Sequence, residues 1–151
     1  MRDGSLITLV PVLDAGAYAD NDVLFVPTKL ESVVVDTKGP AILRSLFLLD
    51  TAGQKQDMDL LFFSRDPGDI GAANAALAMS DAEAQFLLGH ISLVAADYVD
   101  GNANSWITKT VEMLMGTERG SKDIWVAGVV RSGTPTYGVS GLTLKFSWER
   151  L

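Results

Sequence analysis

The chain has 151 residues, 48% of them hydrophobic, with 19 acidic against 12 basic side chains, a net charge of −7 and no cysteine. That length is one domain with room for a core, and a chain without thiols has no disulfide and no thiolate metal site. The basic residues stand singly, which excludes the clustered cationic patch of a nucleic-acid binder, and no apolar run approaches the ~20 residues of a membrane-spanning helix.

Leu6 to Leu13 reads as the first strand. Arg2, this run and Ala15-Gly16-Ala17 superficially mimic a secretory signal. Asp3 cancels the charge of Arg2, however, and Pro11 interrupts the short run, so a strand is the expectation. Both of its faces are largely apolar, which fits a strand covered on both sides, and Pro11 lacks the N–H of an interior ladder position, which places it at a sheet edge. Residues 1–13 are thus expected to form an edge strand or an interface segment of a single domain, 1–151.

Asp14 to Asp22 is a loop with turn chemistry at Asp20-Asn21-Asp22. Val23 to Val26 is a short strand stopped by Pro27. Leu30 to Asp36 carries the β-branched run Val33-Val34-Val35 of a buried strand. After the turn Thr37-Lys38-Gly39-Pro40 comes a nearly all-apolar strand, Ala41 to Leu49. Gln56 to Ser64 alternates at first, with Met58, Leu60 and Phe62 on one face, then becomes apolar on both faces at Leu61 and Phe63. That far end requires a covering layer or a neighbour.

Asp66-Pro67-Gly68-Asp69 is a turn. Gly71 to Met79 is Ala-rich and lacks strand propensity. Ser80 to Leu88 reads as the one helix: Ser80 and Glu83 form a capping box, and Gly89 stands where a left-handed cap is wanted. Four strands follow, His90 to Tyr98, Ser105 to Met113, Asp123 to Arg131 and Leu142 to Leu151. In the last, Leu142, Leu144, Phe146 and Trp148 alternate with Thr143, Lys145, Ser147 and Glu149, one face on a core and one in water. About eight main strands at short intervals, with one short helix in mid-chain, predict an all-β, eight-stranded, jelly-roll-like β-sandwich.

Chemistry-bearing residues are sparse. His90 is the only histidine; it follows the helix stop and enters an apolar strand, with no nucleophile motif beside it. Asp57 and Asp59 share a strand face about 7 Å apart, which suits a polar outer face better than the paired carboxylates of a sugar cleft. Asp14, Asp20, Asn21 and Asp22 lack the spacing of a calcium loop. Trp106, beside a polar loop, is the best candidate for a sugar-stacking platform among Trp106, Trp125 and Trp148. No phosphate-binding or dinucleotide glycine motif occurs. The expectation is a non-enzyme with no cofactor and no metal. Its apolar excess points to surface buried against other protein. The candidate interface residues are Leu6, Leu9, Pro11, Leu61, Phe63 and Trp106.

From Leu46 to Leu93 the order of elements is an apolar strand to Asp50, a turn, Met58-Asp59-Leu60-Leu61-Phe62-Phe63, the Asp66-Pro67 turn, Asn74, the helix start Ser80-Asp81-Ala82, and Leu87-Leu88-Gly89 leading into Ile91. This third of the chain resembles the capsid decoration, or cement, proteins of tailed bacteriophages. The resemblance implies a structural virion protein made in the host cytoplasm and bound to the capsid outer surface. Its partners would be the major capsid protein and itself, as a homotrimer on local threefold positions. The alternative is a carbohydrate- or receptor-binding module of a phage tail.

Overall fold

Period-two alternation puts most of the chain into antiparallel strands, and the strands into two layers. The computed structural model describes residues 3–35, 37 and 39–151. Met1 and Arg2 of the expected N-terminal segment, Asp36 at the end of the expected third strand, and Lys38 in the turn after it lie outside the described residues. The strands are β1 (Asp3–Leu9), β2 (Val23–Leu30), β3 (Pro40–Asp50), β4 (Met58–Phe63), β5 (Leu87–Leu93), β6 (Val99–Asp100), β7 (Ser105–Gly116), β8 (Ile124–Val130) and β9 (Leu142–Arg150). One sheet has the order β1-β9-β3-β7-β6, the other β2-β8-β4-β5, and every pairing is antiparallel.

The two-residue β6 is an appendage. Without it, β7, β8 and β9 become the sixth, seventh and eighth strands, and the sheets read 1-8-3-6 and 2-7-4-5. The chain crosses between sheets at every connection except the one from the fourth strand to the fifth. That is the double Greek key of a jelly roll, the all-β sandwich expected from the sequence.

The inward faces meet as predicted for β9: Leu142, Leu144, Phe146 and Trp148 are all buried. Phe146 meets Phe62 of β4 edge to face, with ring centroids 5.9 Å apart, a favoured aromatic geometry. Gly128 in β8 lies beneath the Phe25 ring, where an added Cβ would come within 2.6 Å of Cε1.

The outward face of the four-stranded sheet is also covered. Residues 64–86, between β4 and β5, lay Ile70, Leu77, Met79 and Phe86 over Leu61, Phe63, Ala127 and Val129. Three backbone bonds fasten this cover, Asn74 N–H to Val23 O, Val23 N–H to Ala75 O and Leu77 N–H to Asn21 O, and a fourth, Ala78 N–H to Ile70 O, closes it on itself. At its root the Ser64 hydroxyl and the Arg65 Nε both donate to Glu118 Oε1, at 2.9 and 3.2 Å. The layer required by the two-sided apolar end of β4 is therefore the chain's own.

Several local expectations are corrected. The helix α1 spans only Asp81–Ala84; its capping box forms as predicted, but the chain is already in β5 at Leu87. Gly89 is consequently a strand residue opposite Phe62, and its φ of 158° is far from the ~57° of a left-handed cap. Val33-Val34-Val35 is not a strand. Val33 and Val34 are buried in a loop whose N–H groups donate to Lys122 O, and Val35 faces solvent. Pro27 does not stop β2; the strand runs on to Leu30 through two register shifts, which an edge strand tolerates because its outer N–H groups need no partner. The first strand ends at Leu9, before Pro11, and the strand from His90 ends at Leu93, ahead of a 3-10 turn at Ala95–Asp97.

Gly128→Ala should overpack Phe25 and cost about 1–3 kcal/mol, and Ser80→Ala should cost about 1 kcal/mol through the lost cap. Urea midpoints read both; a Gly128→Ala protein as stable as the parent would contradict the packing at Phe25.

Candidate interaction surface

Among the described residues, the outward face of the five-stranded sheet carries no such cover. Its rows follow from the register. One runs Gly4, Glu149, Ile42, Leu114; the next Leu6, Ser147, Ser45, Thr110; the next Thr8, Lys145, Phe47, Thr108; and the last Thr143, Leu49, Trp106, Val99. Ile42, Phe47, Leu49 and Trp106 are half-buried by their row neighbours, Val99 is exposed, and Leu6 and Leu114 are each 62% exposed. None of these apolar side chains belongs to either buried cluster.

Polar groups are interleaved with them. Arg44 sits at a bulge in β3 and pairs with Glu112 and Glu149. Lys145 Nζ lies 5.4 Å from the centroid of the Phe47 ring, within cation–π range. The result is an extended face of aliphatic, aromatic and hydroxyl side chains with one ion-pair cluster. Apolar side chains left outside both buried clusters make this face the candidate for contact with other protein.

The six residues expected at an interface divide. Leu6 and Trp106 lie on this face, on the β1 and β7 strands that flank it. Leu9 points inward against the core. Pro11 is buried. Leu61 and Phe63 lie under the 64–86 cover, with no surface left to offer. Ile42, Phe47, Leu49 and Leu114 went unnamed in the sequence reading. For the first three the signal was the nearly continuous apolar run of β3, which leaves side chains on both faces; Leu114 lies on β7.

The remaining constellations are occupied structurally. Asp57 Oδ1 accepts from Ala95 N–H at 2.7 Å. Asp59 accepts from Ser92 Oγ and Arg131 Nε, both at 2.7 Å. Asp14 Oδ2 accepts from Gly16 N–H and Asn74 Nδ2, and Asp22 Oδ2 from Ala19 N–H. His90 is exposed on β5 opposite Leu61. Trp148 is buried, and Trp125 is half-buried with Lys29 Nζ 5.9 Å from its centroid. Trp106 is tucked against the β6–β7 turn, where a Cβ on Gly101 would approach its Cζ3 to 2.5 Å; it is a wall of the sheet face, not a free-standing platform.

A buried polar cluster occupies the interior at the end of the sandwich where β3 leads into β4. Asp50 is fully buried, and its carboxylate accepts N–H groups of Ala52, Gln54 and Lys55, so it fastens that turn. Ser105 faces Asp50 across the β3–β7 ladder. Tyr98 donates to Gln56 O at 3.0 Å and Tyr18 to Leu24 O at 2.9 Å. Among the described residues no ligand-sized cavity opens here or elsewhere.

Burial pushes the phenols of Tyr18, Tyr98 and Tyr137 up, and the Asp50 carboxylate adds to the rise at Tyr98 and Tyr137. These are the only three tyrosines. Unfolded, they ionise near pH 10. Folding keeps the protons on, so this contribution to stability is complete below about pH 10 and is lost as pH rises beyond it. Ultraviolet titration should therefore show little phenolate near pH 10 and then a cooperative rise as the protein unfolds. Three tyrosines titrating reversibly near pH 10 in the folded protein would contradict their burial.

No family model and no curated protein matches the chain. Among solved structures, a chain from the full particle of Israeli acute paralysis virus heated to 63 degrees aligns with 98% of this chain and 67% of its own length, at 9% identity and a TM-score of 0.29.

Proposed function

We propose that this protein is a structural component of a virus particle: a decoration protein that binds the outside of a tailed-phage capsid shell and holds neighbouring shell subunits together. The observation that carries this reading is the bare outward face of the five-stranded sheet, with Ile42, Phe47, Leu49, Trp106 and Leu114 across it. On this reading the face docks on the shell. Separation of two shell subunits must then also break the contacts of the protein that bridges them. The protein performs no chemistry; its carboxylates and hydroxyls hold turns and strands together. The resemblance of residues Leu46–Leu93 to decoration proteins supports the same reading. The threefold order that the resemblance implies would be imposed by the shell at its local threefold positions.

Sedimentation with a panel of undecorated tailed-phage particles tests the proposal. The parent protein should pellet with its cognate shell. Phe47→Glu places a carboxylate in the centre of the face, and should weaken binding at least about tenfold, equivalent to about 1.4 kcal/mol, while leaving the thermal melt near the parent value. Equal binding by the parent and Phe47→Glu would remove this face from the interface. Failure to bind any shell, together with glycan binding lost in Trp106→Ala, would favour the carbohydrate-binding alternative.

A further inference from the structure

A jelly roll has four sheet edges, and an open edge is a template for another strand. Three of the four are guarded here. The β2 edge has Pro27 inside it and two register shifts against β8. The β5 edge has a register shift against β4, and Lys109 Nζ reaches over to Ser92 O. The β7 edge has a register shift against β3 between Thr110 and Met113, the charges of Lys109 and Glu112, and the short β6 at one end. The β1 edge is the least guarded, its one charge, Asp3, standing at its first position. It pairs with β9 in seven consecutive positions without a shift, and it contains no proline and no charge from Gly4 to Leu9.

We infer that β1 is a docking edge for a second copy of this chain, paired antiparallel to β1 of that copy about a twofold axis through Leu6. The register is self-complementary, as a twofold interface must be. Leu6 faces Leu6 of the second copy, Ser5 faces Ile7, and Gly4 faces Thr8. Outward residues stay outward, so Gly4, Leu6 and Thr8 of both copies share one face. The two 62% exposed Leu6 side chains cover each other, an apolar cross-strand pair.

Charge does not oppose this arrangement. The central row, Ser45, Ser147 and Leu6 from each side, is neutral. The flanking row joins Glu149 and Gly4 of one copy to Thr8 and Lys145 of the other, so each copy's Glu149 lies in line with the other's Lys145, about 14 Å away across three strand spacings. At that distance ionic screening removes most of the attraction, and Glu149 already pairs with Arg44; for a chain of net charge −7 the relevant feature of the seam is that it sets no like charges opposite each other. The contact is a property of the free protein and does not rest on the decoration reading.

Two substitutions test it, and both sit at an exposed position, which a truncation would not: Ile7 and Leu9 pack on the core, so removal of β1 would damage the fold as well. Sedimentation equilibrium of the parent should show a monomer–dimer equilibrium. Leu6→Lys sets two ammonium groups face to face on the axis and should weaken the dimer at least about tenfold with an unchanged melt. In Leu6→Cys the two Cα atoms would be about 4.5–5.5 Å apart, inside the range a disulfide spans. The parent has no cysteine, so mild oxidation should yield a single cross-linked dimer. Leu114→Cys, equally exposed on the far side of the sheet, should not cross-link under the same conditions. A parent that stays monomeric at every concentration, an oligomer of any order that Leu6→Lys leaves intact, or cross-linking of Leu114→Cys as efficient as that of Leu6→Cys would each overturn the inference. Should Leu6→Lys fail to fold, the cysteine pair decides alone.

Discussion

A strand that is apolar on both faces has to be covered on both faces, and this requirement organises the molecule. In a two-layer sandwich the inward faces cover each other. The outward faces have no partner unless the chain supplies one. Here β4 and β8 present Leu61, Phe63, Ala127 and Val129 outward, and β3 presents Ile42, Phe47 and Leu49 outward. The chain covers the first group with residues 64–86 and leaves the second open. The interaction reading follows from that asymmetry. One sheet is covered by the chain's own residues, and the other has no cover among the described residues.

The cover is held by polar contacts because its own sequence offers little to hold it. Gly71 to Met79 is mostly alanine, with small apolar areas, and each of its few large residues contributes about 1.5–3 kcal/mol when fully buried. Backbone pairing with Asn21 and Val23, the Ser64–Arg65–Glu118 root and the Arg65 guanidinium 4.4 Å from the Phe86 ring centroid anchor it along its length. Near the end of the cover, the capping box at Ser80 turns α1 for a single turn and delivers the chain into β5. A helix this short gains little from propensity; its cap and the packing of Phe86 and Leu87 against the Leu61 and Phe63 cluster hold it.

The strand rhythm was readable because alternation is a local property of the sequence. Leu142 to Trp148 announced an inward face, and the structure buries all four of its apolar residues. The capping box was readable for the same reason. What could not be read was anything decided at a distance. Val33-Val34-Val35 has strand composition, but its N–H groups are taken by Lys122 O across the sandwich end, and burial without a ladder leaves it a loop. Leu61 and Phe63 looked like an interface because the sequence shows an apolar surplus without showing what lies over it. Ile42, Phe47 and Leu49 have the same local signature as those two residues and the opposite fate. The difference lies in where residues 64–86 fold back, a tertiary choice with no trace in the strands themselves.

The least guarded edge, that of β1, and the bare sheet face belong to the same five-stranded layer. An edge-to-edge pair of copies would therefore not cover the face. It would extend it into one ten-stranded surface, with the rows from Ile42 to Gly4 continuing into Thr8, Lys145 and Phe47 of the second copy. Two docking faces would then be fixed in one rigid body. Once the first is seated on a surface that repeats the same site, the second binds at a high effective concentration, and the joint affinity exceeds that of either face by about 10²–10⁴ when the geometry permits both. A single face needs a strong contact to resist dissociation. A joined pair can bridge two sites with weak ones, so modest contacts at each suffice for a protein whose proposed task is to hold neighbouring subunits together.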